Sequence, residues 1–562
     1  MGNKKYAVIG GSAVLLVAVV ASVAVVVTHR SGGGSSNAKS EPHMTTSVKA
    51  IKEFCRPTDY QQTCETALQS AAGNAIFKVT TERVQQAFNH SETLAELAHD
   101  KRTSGALQNC RELLEYAVED LKTSFDQLGG FEMSNFQRAV DDLKTWLSAV
   151  LTYQDTCLDG FENTTTDAAQ SMSKALKSAS ELTANILAIV DEFSNTIGSM
   201  NIPFMSRRLL EADGEGEAAV PEWVSAGKRR LLQAGPLQLK PNVTVAQDGS
   251  GDFKTITEAL ATVPKKSEEA FVIYVKEGVY SEYVTVDRDL TNVVMYGDGP
   301  TKTRVTGNRN FRQNITTKDT ATFTVVGNGF FARDLGFENS AGAENHQAVA
   351  LRVQSDLSVF YQCQFDGYQD TLYTHAYRQF YRDCTVTGTI DFIFGNAQVV
   401  LQNCLILVRR PLDNQQNIVT AQGRKEKRSA GGIILHNCTV TADPSFEPVK
   451  ARIPTYLGRP WKEYSRTFYI QCQLDDLINP VGWLPWLGDY GLRTCFYTEV
   501  DNRGPGSDTS ARATWKGVKK VSYEHAQKFT VEHFLQGHRW IPRTGVPYIP
   551  GLLPQSQPTR TH

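Results

Sequence analysis

Asp391 stands inside GTIDFIFG, residues 388–395, with Ile390 before it and Phe392, Ile393 and Phe394 after it. A carboxylate among apolar neighbours is costly unless it is paired, neutralised or put to use. A second carboxylate, Asp370 in GYQDTL, precedes it by 21 residues, and Gln347 of NHQAVAL precedes Gln369 by 22. Two carboxylates brought close together resist double ionisation, so one is pushed up while the other stays charged. The charged one is a nucleophile. The protonated one gives its proton to a leaving group and then serves as the base for water. Two glutamine amides supply donors to a developing oxyanion. That set suits acyl transfer at an ester, and it calls for no Ser or Cys nucleophile, metal or cofactor. A glycosidase also uses two carboxylates but has less use for an amide pair. Taken singly, each of the four fits a turn-capping Asp or a ladder-forming Gln better. Placed together on one face, they argue for chemistry.

A repeat is what would place them there. FYQCQFDG (360–367), FYRDCTVTG (380–388), VLQNCLIL (400–407), ILHNCTVT (434–441) and YIQCQLDD (469–476) each hold a Cys in the same local setting, at steps of 21, 20, 34 and 34 residues. ARDLGFENS (332–340) reads as an earlier copy without the Cys. Steps near 20 match one coil of a parallel β-solenoid, and the longer steps read as coils with inserted loops. The reading is a right-handed parallel β-helix. An antiparallel sandwich would leave a Cys repeated at coil length unexplained. Stacked coils put Gln347, then Gln369 with Asp370, then Asp391 on successive rungs, with strand alternation turning Asp391 outward.

The rest of the 562-residue chain is too long to share one core. Residues 46–200 read as helical: apolar residues recur at three- and four-residue spacing, as in ALQNCRELLEYAVEDL at 106–121, and no Pro stands between Pro57 and Pro203. An all-α domain of four-helix-bundle type is expected there. Residues 201–236 are polar, Gly-rich and charged and carry RRLL twice, at 207–210 and 229–232, an accessible target for a processing protease. Ala7–Val27 is an uncharged apolar run long enough to cross a bilayer, followed by the Gly/Ser-rich SGGGSSNAKS. No small-x-small cleavage site follows it, so residues 1–45 are read as a tail, an uncleaved signal anchor and a linker. The catalytic region is bounded at 237–556. Secretion makes disulfides the default for the ten cysteines, and no C-x-x-C spacing points to a metal. Sequons at Asn89, Asn163, Asn242, Asn314 and Asn437 suit the same route. Composition is that of a soluble globular protein, 41% hydrophobic and 21% charged. Residues 233–562 hold 36 Lys and Arg against 32 Asp and Glu, net +4; of the whole chain's 58 and 60 this leaves 22 against 28, net −6, for residues 1–232. So small a basic excess gives no reason to expect nucleic acid and is weak support for a polyanionic partner. The basic GRKEKR at 423–428 reads as a solvated loop.

With these motifs in view, residues 243–550 resemble plant pectin methylesterases, or pectinesterases. The resemblance rests on GVYSEYV (278–284), QAVAL (347–351), GYQDTL, GTIDFIFG and LGRPW (457–461), in that order. It implies hydrolysis of the methyl esters of homogalacturonan in the cell wall, with Asp391 as nucleophile, Asp370 as general acid and then base, and Gln369 with Gln347 at the oxyanion. It further implies that Arg459 holds Asp391 ionised and low, that Trp461 offers a flat face to a sugar ring, that Thr317 of NITTKDT contacts substrate, and that Cys384 pairs with Cys404. Residues 46–200 resemble the plant invertase and pectin methylesterase inhibitor family through FCRPTDYQQTC (54–64) and LSAVLTYQDTCLDGF (147–161). That resemblance implies pairs Cys55–Cys64 and Cys110–Cys157. The whole chain then looks like a precursor: membrane-targeted, with an inhibitor-like pro-region, released by a subtilisin-like protease and answering to proteinaceous inhibitors. A pectin chain-cleaving enzyme and a non-catalytic wall-binding protein are the rivals. The GHG motif of a polygalacturonase is absent.

Overall fold

A computed structural model describes residues 51–70, 76–98, 100–129, 135–164, 166–199 and 240–554. The apolar run at 7–27 and the RRLL linker lie outside the described residues. Among the described residues, no helix is long and apolar enough to cross a membrane. The chain divides into two compact units, with the division between Ala218 and Ala219.

The first unit is helical: α1 (Gln61–Ser70), α2 (Ile76–Leu97), α3 (Lys101–Gly129), α4 (Phe136–Asp159) and α5 (Ala168–Ser199). α2 packs on α3, α3 on α4, α4 on α5 and α5 back on α2, which closes a four-helix bundle. Its seam is the three- and four-spaced set Leu107, Cys110, Leu114, Ala117 and Leu121 of α3 against Leu147, Val150, Tyr153 and Cys157 of α4, all buried. Cys110 is bonded to Cys157 and Cys55 to Cys64. Closing a 47-residue separation is worth about 4 kcal/mol in the chain-entropy picture. The Asn185 side chain accepts from the Tyr60 amide at 3.0 Å and donates to its carbonyl at 2.9 Å, fixing the entry to α1.

The second unit is a right-handed parallel β-helix of three sheets, with ten, eight and seven strands. Each coil visits the seven-stranded sheet, then the ten-stranded sheet, then the eight-stranded sheet, as in Leu351–Gln354, Ser358–Tyr361 and Gln364–Asp366. The strands are short and rich in β-branched and aromatic residues. Their inward positions fill one core with Val, Ile and stacked aromatics, such as Phe360 on Tyr381 at 4.8 Å. The ten-stranded sheet is also covered outside. Phe380, Val400, Ile434 and Phe468 pack under the C-terminal helices Tyr523–Gln527 and Val531–Phe534. Side-chain amides of Gln402 and Gln471 bind both backbone groups of Ile549 and Leu553, tying the C-terminal segment across that face.

The Cys repeat marks the corner between the ten- and eight-stranded sheets. The residue before each Cys (Gln362, Asp383, Asn403, Asn437, Gln471) has φ between 51° and 57°, and Asp334 does the same before Leu335. Polar residues tolerate that left-handed turn better than branched ones do. Each Cys side chain then enters the core. Cys384 Sγ donates to the Phe360 carbonyl at 3.4 Å and Cys438 Sγ to the Leu401 carbonyl at 3.2 Å, each in the preceding coil. This corrects the implied Cys384–Cys404 pair: both are free, buried thiols. Cys384, Cys404 and Cys438 each have a sulfur neighbour in the coil above and in the coil below, and hydrogen bonds rather than a covalent bond join them to these neighbours. Asn89, Asn163, Asn242 and Asn314 are exposed. Asn437 is half-buried in the corner, donating to Asn403 Oδ1 and accepting from Arg503, both at 2.9 Å.

Candidate active site

The corner from the eight-stranded to the seven-stranded sheet carries the chemistry. Leu372 pairs in register with Ile393, so Asp370 and Asp391, each two residues earlier, share one position on adjacent rungs. The Asp370 amide donates to the Ile390 carbonyl at 3.0 Å, and Gln347 and Gln369 form a parallel bridge one rung back. Both aspartates have left-handed backbones, φ 63° for Asp370 and 51° for Asp391. Asp391 therefore lies in a turn ahead of strand Ile393–Gly395, and turn geometry rather than strand alternation aims it. Aspartate is among the few residues that adopt this conformation readily.

Asp391 is 4% and Asp370 8% exposed, while Gln347 and Gln369 are half-buried. Arg459 follows strand Thr455–Gly458 of the same sheet and forks onto Asp391: Nε reaches Oδ1 at 2.8 Å and Nη2 reaches Oδ2 at 2.5 Å. A bidentate pair fixes the plane of both groups. Burial pushes the Asp391 carboxyl above its ordinary value, and the charge and hydrogen bonds of Arg459 pull it only part of the way back. The expectation of a carboxyl held low by Arg459 is corrected on that ground. Burial lowers Arg459, but Asp391, with Asp370 behind it, outweighs this and leaves the guanidinium above its ordinary value. The pair's proton thus sits on the arginine, and Asp391 is the anion.

An aromatic floor borders the pair. Tyr373 stacks on Phe394 at 4.3 Å, and Trp461 meets Phe394 edge-on at 5.9 Å. Trp461 is half-exposed, with the Lys462 ammonium 4.9 Å from its ring centroid. A Cβ on Gly423, at the head of the GRKEKR loop, would fall 2.7 Å from that indole. Gly395 (φ 124°) ends the strand that follows Asp391, where a Cβ would fall 2.0 Å from the Thr374 carbonyl. Thr317 is half-buried in the short helix Thr317–Thr320, at the same corner of an earlier coil. Its carbonyl accepts from the Thr320 hydroxyl at 2.7 Å. A cleft of about 660 Å³ opens beside the pair, lined by His346, Gln369, Ile390, Gln415, Arg452 and Arg459 among others. Among the described residues no cluster of His, Cys, Asp and Glu is arranged to hold a metal.

Sequence reasoning passed over Tyr373, Phe394 and Trp486. The first two were within reach, since they repeat the 21-residue interval of the aspartates. Trp486, whose ring centroid lies 4.3 Å from the Arg459 guanidinium carbon, shows no such period.

Comparison with known proteins follows the two units. A family model described as "Pectinesterase" matches residues 242–538, and one described as "Plant invertase/pectin methylesterase inhibitor" matches residues 49–189. "Probable pectinesterase/pectinesterase inhibitor 21" of Arabidopsis thaliana is 49% identical over 528 residues, 92% of this chain and 78% of the relative. "Pectinesterase 3" of Phaseolus vulgaris is 43% identical, over 89% of this chain and 86% of the relative. Among solved structures, "Pectin methylesterase from Carrot" aligns with a TM-score of 0.56 and 49% identity, over 56% of this chain and 99% of that one.

Proposed function

The chain belongs to the pectinesterase family of carboxylic ester hydrolases, and from that premise we propose that it hydrolyses methyl esters of homogalacturonan through an acyl-enzyme on Asp391. The observation that carries the reading is the anionic Asp391, forked by Arg459 and in register with Asp370. An Asp391 oxygen attacks the C6 carbonyl carbon of a methyl galacturonate unit. The carbonyl oxygen becomes an oxyanion that the amides of Gln347 and Gln369 stabilise. As the tetrahedral centre collapses, the bond to the methoxy oxygen breaks and Asp370 supplies the proton that makes methanol. Water then attacks the Asp391 anhydride while Asp370 takes its proton, releasing galacturonate and restoring Asp391. Trp461 and the aromatic floor present flat faces to the sugar, with Thr317 on the same rim. No cofactor enters.

The helical unit is proposed as an inhibitor-like pro-region, released at an RRLL site by a subtilisin-like protease. Residues 7–27 are proposed to carry the precursor into the secretory pathway toward the wall.

Replacing Asp391 with Asn keeps the shape and removes the nucleophile. Methanol release from esterified pectin is expected to fall at least about 10³-fold with folding intact. Turnover near wild type in D391N would refute the acyl-enzyme. Loss of pectin viscosity without methanol would favour a chain-cleaving activity instead.

A further inference from the structure

We propose that Trp486 is a positioning residue for this ester hydrolysis: its indole clamps the face of the Arg459 guanidinium whose edge orients the Asp391 carboxylate. The inference rests on the esterase reading above and adds a residue to it. A guanidinium has an edge rich in N–H donors and two flat faces. The edge is committed to both Asp391 oxygens, at 2.8 and 2.5 Å. The Trp486 ring centroid lies 4.3 Å from the guanidinium carbon, within cation–π range. Two contacts of different geometry on one planar group leave it little freedom to rotate, so the fork cannot swing off the carboxylate without losing the stack.

The backbone holds the indole there. Leu457 donates to the Gly482 carbonyl at 2.7 Å, Leu484 donates to the Gly458 carbonyl at 3.0 Å, and Gly458 bridges Trp483. Residues 482–484 thus form one more rung beside strand Thr455–Gly458, immediately before Arg459. Beyond Trp486 the chain turns at Gly488 and Gly491, both with positive φ. Leu487, the next residue, is 76% exposed, and Tyr490 is exposed too. Trp486 instead packs on the cluster of Tyr373, Phe394 and Ala421. The loop therefore exposes Leu487 and Tyr490 to water and turns Trp486 onto the ion pair. Trp461 packs on the same cluster, but the cation over its ring is Lys462.

His346, Asp413 and Arg452 line the cleft beside the pair. Closer in, Asp370 acts on Arg459, and Asp391 acts on Tyr497. Neither replaces the clamp. Freed of Trp486, the guanidinium spends less time forked, and the Asp391 carboxyl loses part of what opposes its burial. A larger share is then protonated at a given pH, and the acid limb of kcat moves to higher pH.

The test compares Trp486→Ala, Trp486→Leu and Trp486→Phe in the intact protein by methanol release from esterified pectin across pH, with a thermal melt for folding. W486A should lower kcat about 10-fold and move the acid limb upward, while W486F, which keeps a π face, should retain most of both. Selective 13C-aspartate NMR should show the Asp391 titration displaced upward in W486A, a readout independent of turnover. Three results would overturn the proposal: W486A raising KM alone with the acid limb in place, W486L matching W486F, or an unmoved Asp391 titration. A wild type still inactive after cleavage within 229–232 would count against the esterase reading, and the NMR titration would still decide the clamp.

Discussion

Asp391 combines two properties that pull against each other, a buried carboxyl and a full charge. Burial raises it and Arg459 restrains it, with burial ahead. A carboxyl raised on folding holds its proton more tightly in the native state than in the unfolded chain. Ionised Asp391 therefore costs stability at neutral pH, and that cost disappears as pH falls through its raised value. Activity runs the other way, since the attacking form is the anion. The acid limb of methanol release should lie above the range of an ordinary aspartate, and replacing Arg459 with Met should move it further up and cut kcat about 10²-fold. An acid limb at the ordinary aspartate position would remove this account of the pair. The interval of 21 residues made the meeting of Asp370 and Asp391 legible from the sequence. The sign of the Asp391 shift was not legible, because it depends on how tightly several coils exclude water around one oxygen pair.

At the scale of the coil, the repeated Cys announced the period, while the family resemblance implied a Cys384–Cys404 bond that the structure does not contain. Spacing fixes where a side chain recurs. Whether two sulfurs bond depends on where each points, and here they point at carbonyls of the preceding coil. Burial holds Cys384 and Cys438 well above the ordinary thiol value and raises Cys495 to about 12. Reactivity needs a thiolate and access, and burial denies access to all six free cysteines. A thiol reagent should label none in the folded protein and six per chain in denaturant without reductant. A count of four after denaturation would restore the Cys384–Cys404 bond. The left-handed residue ahead of each Cys was visible as a column of Gln, Asp and Asn, a turn signal whose meaning only the stacked backbone makes plain.

The whole molecule joins a helical unit to a solenoid, and the change in hydrophobic period near residue 240 was the clearest feature of the sequence. The loops that shape the cleft were not legible in this way, since no periodicity dictates how an insertion folds. If the helical unit restrains the enzyme, cleavage within 229–232 followed by separation of the fragments should raise methanol release several-fold. An unchanged rate from the isolated second unit would leave the helical unit without an inhibitory role. The corners of the solenoid do not share the same freedom. From the ten- to the eight-stranded sheet, the Cys-bearing coils turn through a left-handed residue and one more. From the eight- to the seven-stranded sheet the connection runs from the brief 282–283 to the extended 308–322. The first corner works as a phase lock. It resets the angular position of each Cys-bearing coil, so errors of registry do not accumulate down that part of the stack. Loops at the second corner can then lengthen, shorten or change partner while Asp370 and Asp391 stay opposite each other. The solenoid can thus vary what it admits to the cleft without retuning what it does there.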